Sequence, residues 1–415
     1  MQTDNTAEIR TAEVLSDPSQ QKFLGRRGLI IYISVMNMFV PVSTDLYLPA
    51  LPYMSEYFSV SASLVNMTLV SFFFLYAIGL LFWGTISEKY GRKPIISLGM
   101  IIYVAASLGC TFAPNIYVLI ICRALQGIGA GAITSVSTAV IKDCFAGKTR
   151  NAVLAVVQSM LVIAPMLAPI LGAFLLQFTS WRGSFAVLAL IGGAGLIISF
   201  LFRETVPLEH RYKGSLLGSL GRLIVVIKNK SFAVMLLEFS APMLGFMAYI
   251  AISSYIYIQY FGLTSQQYSY FFAVNAFVAL FGPIIYLRLS PKVAPVRLAI
   301  VSFAIALSSG IMIMTAGTMT PILFWISFVP FGLICSMMRP FGTALLLEQQ
   351  KKDTGSAASL INFTATVAGS IGMILVSLDW SNMVIGMGFL CVLASSISIA
   401  AWVLMKFLKI KMTLT

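Results

Sequence analysis

Apolar runs of about 20 residues, parted by short polar turns, recur along the whole chain, and each is long enough to cross a hydrocarbon layer roughly 30 Å thick as a helix. The runs fall at 28–50, 65–87, 94–112, 116–141, 151–178, 182–202, 231–260, 267–288, 294–316, 320–346, 355–377 and 382–405. A segment in lipid can satisfy its backbone N–H and C=O groups only internally, so each run is predicted to be helical. Twelve spans joined by short turns place sequence neighbours antiparallel to each other.

The polar positions between the runs carry the topology. All of the 27 Lys and Arg except Arg123, Arg182 and Arg339 fall on the tails or on turns that share one side of the predicted membrane. Arg182 lies on the other side, and Arg123 and Arg339 lie inside spans. Basic loops stay in the cytoplasm, so both termini are predicted to be cytoplasmic. The longest connection divides the spans six and six. The reading is an N-tail over 1–27, a first bundle over 28–202, a cytoplasmic linker over 203–230, a second bundle over 231–406 and a C-tail over 407–415. In the linker, Leu216, Leu220, Leu223, Ile224 and Ile227 recur at helical spacing, with Arg222 and Lys228 elsewhere on the wheel. That pattern predicts a short amphipathic helix on the membrane surface.

Composition agrees: 59% of the 415 residues are hydrophobic and 10% charged, a balance outside that of soluble domains. The net charge of +13 sorts to one side of the spans, which favours a lipid surface over nucleic acid as the partner. Five cysteines, at 110, 122, 144, 335 and 391, lack metal-ligand spacing and read as reduced and buried. The single histidine, His210, lies in the linker. No metal site or cofactor is expected. Residues 1–21 are polar, carry four acids, and read as a disordered tail without a signal peptide.

One turn stands out. GTISEKYGRKP, from Gly84 to Pro94, joins the second and third spans. Gly84 and Gly91 suit close approach and a tight turn, and Pro94 suits the first turn of the next helix. By charge alone this is a basic hairpin. By order, Gly84, Ser87, Glu88, Gly91, Arg92, Lys93 and Pro94 resemble the loop between helices 2 and 3 of the major facilitator superfamily, G-x-L-S-D-R-x-G-R-R-P. Glu88 stands for the usual Asp and Lys89 for the usual Arg.

Charges inside spans call for a partner or a function. Asp45 lies in the outer part of the first span, in TDLYLPALP, which looks like the first-helix signature of the Bcr/CflA branch of drug–proton antiporters. Arg123 lies at similar depth in the fourth span, in RALQGIGAG, similar to the family's R-x-x-Q-G-x-G-A-G. In the fifth span Pro165, Pro169 and Gly172 resemble the family's antiporter motif, with Ala168 and Ala173 where Gly is usual. Trp181, Arg182 and Phe185 follow the branch's W-R-x-x-F. In the second half, Glu238 and Arg339 lie at similar depth, which predicts an ion pair. Asn37, Gln126, Gln158, Tyr255 and Asn275 are candidate cavity-lining residues.

The resemblance covers nearly the whole chain. It implies the major facilitator fold, an all-α integral membrane architecture of twelve transmembrane helices in two six-helix halves. It also implies a monomeric, proton-coupled exporter of small, largely apolar compounds in a bacterial inner membrane, working by alternating access. Asp45 would carry the proton and Arg123 would tune it. Glu88, with Gly84, Gly91, Arg92 and Lys93, would form a cytoplasmic gate closing on the start of helix 11 near Gly355. An exporter of amino acids or other polar metabolites shares the fold. An integral-membrane enzyme is the remote alternative, disfavoured by the lack of a nucleophile–base pair or metal cluster.

Overall fold

The computed structural model describes residues 21–212, 214, 216–350 and 354–407. The expected N-tail up to residue 20 and the C-tail from residue 408 lie outside the described residues, as do Lys213, Lys351 and Lys352.

Helices follow the apolar runs. The first crossing is α1 (Gly25–Asp45), a 3-10 turn at Leu48–Ala50, and α2 (Leu51–Phe58). The next five are α3 (Ala62–Tyr90), α4 (Arg92–Thr111), α5 (Ile116–Cys144), α6 (Gly147–Leu175) and α7 (Trp181–Leu201). Helix α8 (Leu216–Ile227) lies in the long connection. The second half holds α9 (Lys230–Ser240) with α10 (Pro242–Tyr255), then α11 (Ser265–Ala279) with α12 (Phe281–Leu289). It ends with α13 (Pro295–Met314), α14 (Pro321–Gln349), α15 (Thr354–Val376) and α16 (Met383–Phe407). Twelve membrane-crossing segments result, and no strand occurs among the described residues.

Local chemistry sets the helix ends. Ser61, Asn115, Asn229 and Thr320 each accept a first-turn N–H on a side-chain oxygen, starting α3, α5, α9 and α14. Thr264 and Gln267 form a reciprocal capping box at α11. Proline explains the breaks. Pro49 and Pro52 lack the N–H that would continue α1, so the first crossing bends at Leu48 and runs on to Phe58 rather than ending near residue 50. Pro242 divides the seventh crossing in the same way.

Among the described residues, the start of α1, the end of α16 and the basic turns share one face, here the basic face; the other is the far face. The halves meet along α3 against α15 and along α6 against α11. Hydrogen bonds that join them gather at the far face. Asn66 Nδ2 donates to Ser377 Oγ at 2.9 Å, and Ser269 Oγ donates to the Pro169 carbonyl at 2.9 Å. Tyr255 Oη donates to the Leu51 carbonyl at 3.3 Å, and Ser265 Oγ to Tyr53 Oη at 3.2 Å. The halves are thus sealed to each other at the far face.

Candidate functional site

Asp45 ends α1 and is buried, 4% exposed. The Thr44 hydroxyl donates to its Oδ1 at 2.9 Å. Ser43, two residues earlier and so about 200° around the helix, turns its hydroxyl to Tyr103 of α4 at 2.5 Å. Asp45 therefore faces away from the core of its own bundle, toward the second half. There it lies within electrostatic reach of Tyr268 on α11.

Arg123 reaches the same depth but takes other partners. Its Nη1 donates to the Ser43 carbonyl at 3.2 Å and to Gln126 Oε1, and its Nε donates to the Thr68 carbonyl at 3.3 Å. The guanidinium sits over Phe72 at 4.2 Å and Tyr47 at 4.8 Å. It is fully buried inside the first bundle, and no ion pair joins it to Asp45. Gln126 passes the network on, its Nε2 donating to Ser107 Oγ at 2.7 Å. Gln126 is thus a bundle-core residue, which corrects its reading as a cavity wall: Arg123 and Ser107 take both ends of its amide.

The turn from Gly84 to Pro94 is built into a polar cluster at the basic face. Arg92 is buried and forks onto Asp143 at the end of α5, Nε to Oδ2 at 2.8 Å and Nη2 to Oδ1 at 3.3 Å. Its Nη1 donates to Ser87 Oγ at 2.7 Å, and Thr205 Oγ1 donates to Asp143 Oδ2 at 3.2 Å. The Glu204 carboxylate accepts the backbone N–H groups of Arg92 at 2.8 Å and Lys93 at 3.1 Å. An anion at the start of α4 meets four unpaired N–H groups and the positive end of the helix dipole, a favourable place. Lys93 Nζ in turn donates to the Phe200 carbonyl at the end of α7, at 2.8 Å.

Gly91 makes this possible. Its φ is +103°, and a Cβ there would stand 2.4 Å from Glu204 Oε2. Gly84 plays no such part, since a Cβ would meet nothing within 4 Å; α3 leaves room there, which corrects the expectation of close approach. The Glu88 side chain is exposed, while its carbonyl accepts from the Tyr212 N–H at 3.0 Å. Asp143 and Glu204 were missed in the sequence because each follows a base (Lys142, Arg203) counted only as a loop charge. The available signal was an acid ending a span on the same face as the turn.

Pro165 and Pro169 stay inside a continuous α6. Pro169 supplies the carbonyl that Ser269 of α11 takes, so the proline pair sits on the seal between the halves. A Cβ on Gly172 would lie 1.8 Å from the Leu46 carbonyl, so only glycine lets α6 pack this close to the end of α1. Tyr255 belongs to the far-face seal, bonded to Leu51, rather than to a cavity. Asn37 is buried and returns its Nδ2 to the Ile33 carbonyl of its own helix at 2.8 Å. Asn275 is buried on α11, and Gln158 is exposed on α6.

The expected Glu238–Arg339 pair does not form. Glu238 is fully buried, and neither carboxyl oxygen has a hydrogen-bond partner. Arg339 is exposed and lies within electrostatic reach of Tyr76 on α3. The reason is helix rotation. Phe341 packs on Phe239 of α9, with ring centroids 5.5 Å apart. Arg339, about 200° around α14 from Phe341, points away from α9. An orphaned buried polar group costs about 1–3 kcal/mol. Glu238→Leu is therefore expected to raise the thermal unfolding temperature of the purified protein in nanodiscs. A lowered temperature would show that the carboxyl has a partner after all.

A sequence profile of the Major Facilitator Superfamily matches residues 33–373. A bicyclomycin resistance protein homolog from Haemophilus influenzae is 28% identical over 347 residues, 82% of this chain and 87% of that protein. Multidrug resistance protein MdtL from Klebsiella pneumoniae is 26% identical over 365 residues, 86% of this chain and 90% of that protein. Among solved structures, the xylose transporter XylE from E. coli, in a partially occluded inward-open conformation, superposes with a TM-score of 0.70. It is 13% identical and covers 93% of this chain and 98% of its own. A peptide transporter POT in complex with sulfate gives 0.73 at 14% identity, covering 95% of this chain and 97% of its own. Such identities carry the fold alone; the profile, spanning most of the sequence, carries the family. The chain belongs to the Major Facilitator Superfamily, a multi-pass membrane transporter rather than an enzyme, with drug-resistance proteins among its relatives.

Proposed function

We propose that this transporter exports small, largely apolar compounds in exchange for protons, as a monomer in a bacterial inner membrane with its basic face in the cytoplasm. The observation that carries the reading is Asp45, an acid buried where the two halves meet, with a neighbouring hydroxyl and no cation on it. Burial without a counter-ion favours the neutral carboxyl, whereas water or a cationic cargo favours the ionised one. A carboxyl that exchanges a proton as the seam opens and closes is a coupling site, and the proton is the only coupling ion this reading needs. Drug-resistance relatives support an apolar cargo.

In this scheme Arg123 acts on Asp45 through the backbone. It fixes the Ser43 carbonyl, and with it the end of α1, against α3 and α5. In this reading the far-face seal closes the path to the outside. On closure of the basic face, exposed Glu88 would meet the positive end of α15 near Gly355.

The test is transport into proteoliposomes with an imposed pH gradient, using lipophilic amines, neutral antibiotics and amino acids side by side. Gradient-dependent accumulation of the apolar compounds is expected. Movement of the amino acids alone would overturn the cargo, and movement indifferent to the gradient would overturn the coupling.

A further inference from the structure

A slot between α1 and α7, on the outer wall of the first bundle, takes no part in the seam or the proton site. It holds about 360 Å³ and is lined by Leu24, Gly28, Tyr32, Ile191, Ala194 and Ile198, among others. Its walls are apolar. Small residues keep it open: a Cβ on Gly28 would meet only the side chain of Leu24. The ends of the two helices are stapled above it. Gln21 Nε2 donates to the Arg203 carbonyl at 2.9 Å, and the Arg203 N–H donates to Gln21 Oε1 at 2.8 Å.

Charge gathers at that stapled end. Lys22, Arg26, Arg27 and Arg203 are all exposed, and none of them forms an ion pair among the described residues. Glu204, the acid beside Arg203, is already taken by the Arg92 and Lys93 N–H groups and Arg211. Deeper in the slot, Tyr32 is 4% exposed and contributes only its ring to the wall, stacked on Phe202 at 6.0 Å. It lies five residues past Arg27, about 8 Å along the helix.

We propose that this slot binds an anionic phospholipid of the basic-face leaflet. One acyl chain fills the apolar cleft, and the phosphate sits on Arg27 and Arg203 at its stapled end. Basic clusters beside intramembrane clefts recognise anionic headgroups in this way. An apolar cargo would have no use for the arginines. A second copy of the chain would bring the same positive charges to the contact, and like charges repel.

The probe is nanodiscs of phosphatidylglycerol or phosphatidylcholine, with retained lipid counted by native mass spectrometry after detergent extraction. Wild type is expected to keep phosphatidylglycerol in preference. Replacing Arg27 and Arg203 by Gln is expected to weaken that preference by about fivefold per arginine. Ala194→Trp, which fills the slot, is expected to remove the retained lipid, with Ala194→Leu as the milder variant should the first not fold. Equal retention of the two lipids, or a preference unchanged in the Gln variants, overturns the headgroup assignment. Retention unchanged by both Ala194 substitutions overturns the slot. So does their loss of dimer mass, which makes the face an interface, or their loss of a bound apolar dye with lipid retained.

Discussion

Asp45→Asn is expected to abolish proton-driven accumulation of substrate while leaving the binding of neutral compounds largely intact. Asparagine keeps the size and the acceptor for the Thr44 hydroxyl, so the end of α1 and its packing on Gly172 of α6 should survive. What it loses is the exchangeable proton. An antiporter needs a site whose proton and cargo favour different states, because a ligand shifts a conformational equilibrium only by its differential affinity for the two. Asp45 has the position for this: it is buried on the side of α1 that faces the second half, and the Arg123 guanidinium bonds Ser43, Thr68 and Gln126 rather than its carboxylate. Asp45→Glu, which keeps the acid but lengthens it, should retain part of the activity. Substrate-induced proton release from the purified protein is the direct readout. Release from Asp45→Asn equal to that of wild type would place the carrier elsewhere, and buried Glu238 would be next to test.

Asp143→Ala should cost about 3–5 kcal/mol of stability, the usual penalty for stranding one partner of a buried ion pair. Both side chains are nearly inaccessible, 7% for Arg92 and 6% for Asp143, and the pair is bidentate. Losing the carboxylate leaves the guanidinium with Ser87 alone and frees the Thr205 hydroxyl. Replacing both partners by apolar residues, Arg92→Met with Asp143→Leu, should cost much less than the sum of the single changes, since no lone charge then remains buried. Thermal unfolding of the four proteins in nanodiscs closes the cycle. Additive losses would show that the two residues do not act as a pair.

The helices were legible in the sequence because lipid leaves the backbone one option, and runs such as 116–141 and 294–316 are long and predominantly apolar. Helix ends were less legible: the run read from residue 65 starts its helix at Ala62, and the caps Ser61, Asn115 and Thr320 emerge only in the structure. The basic turn was legible as a turn. Its partners were not: Glu204 reaches Arg92 across 112 positions of sequence, and nothing local marks an acid as the cap of a distant helix.

Hydropathy and charge sorting by themselves determined twelve crossings, two halves and a basic face, since each depends on transfer of a segment between water and lipid and not on its neighbours. Pairing within the membrane depends instead on how each helix is rotated about its axis, and only the tertiary structure decided that. Equal depth suggested Asp45 with Arg123 and Glu238 with Arg339, but one or two residues of rotation turn a side chain to another face. The structure sends Arg123 into its own bundle and Asp45 to the seam, and it leaves Glu238 buried alone while Arg339 looks away. Depth is a property of the chain, and direction is a property of the packing.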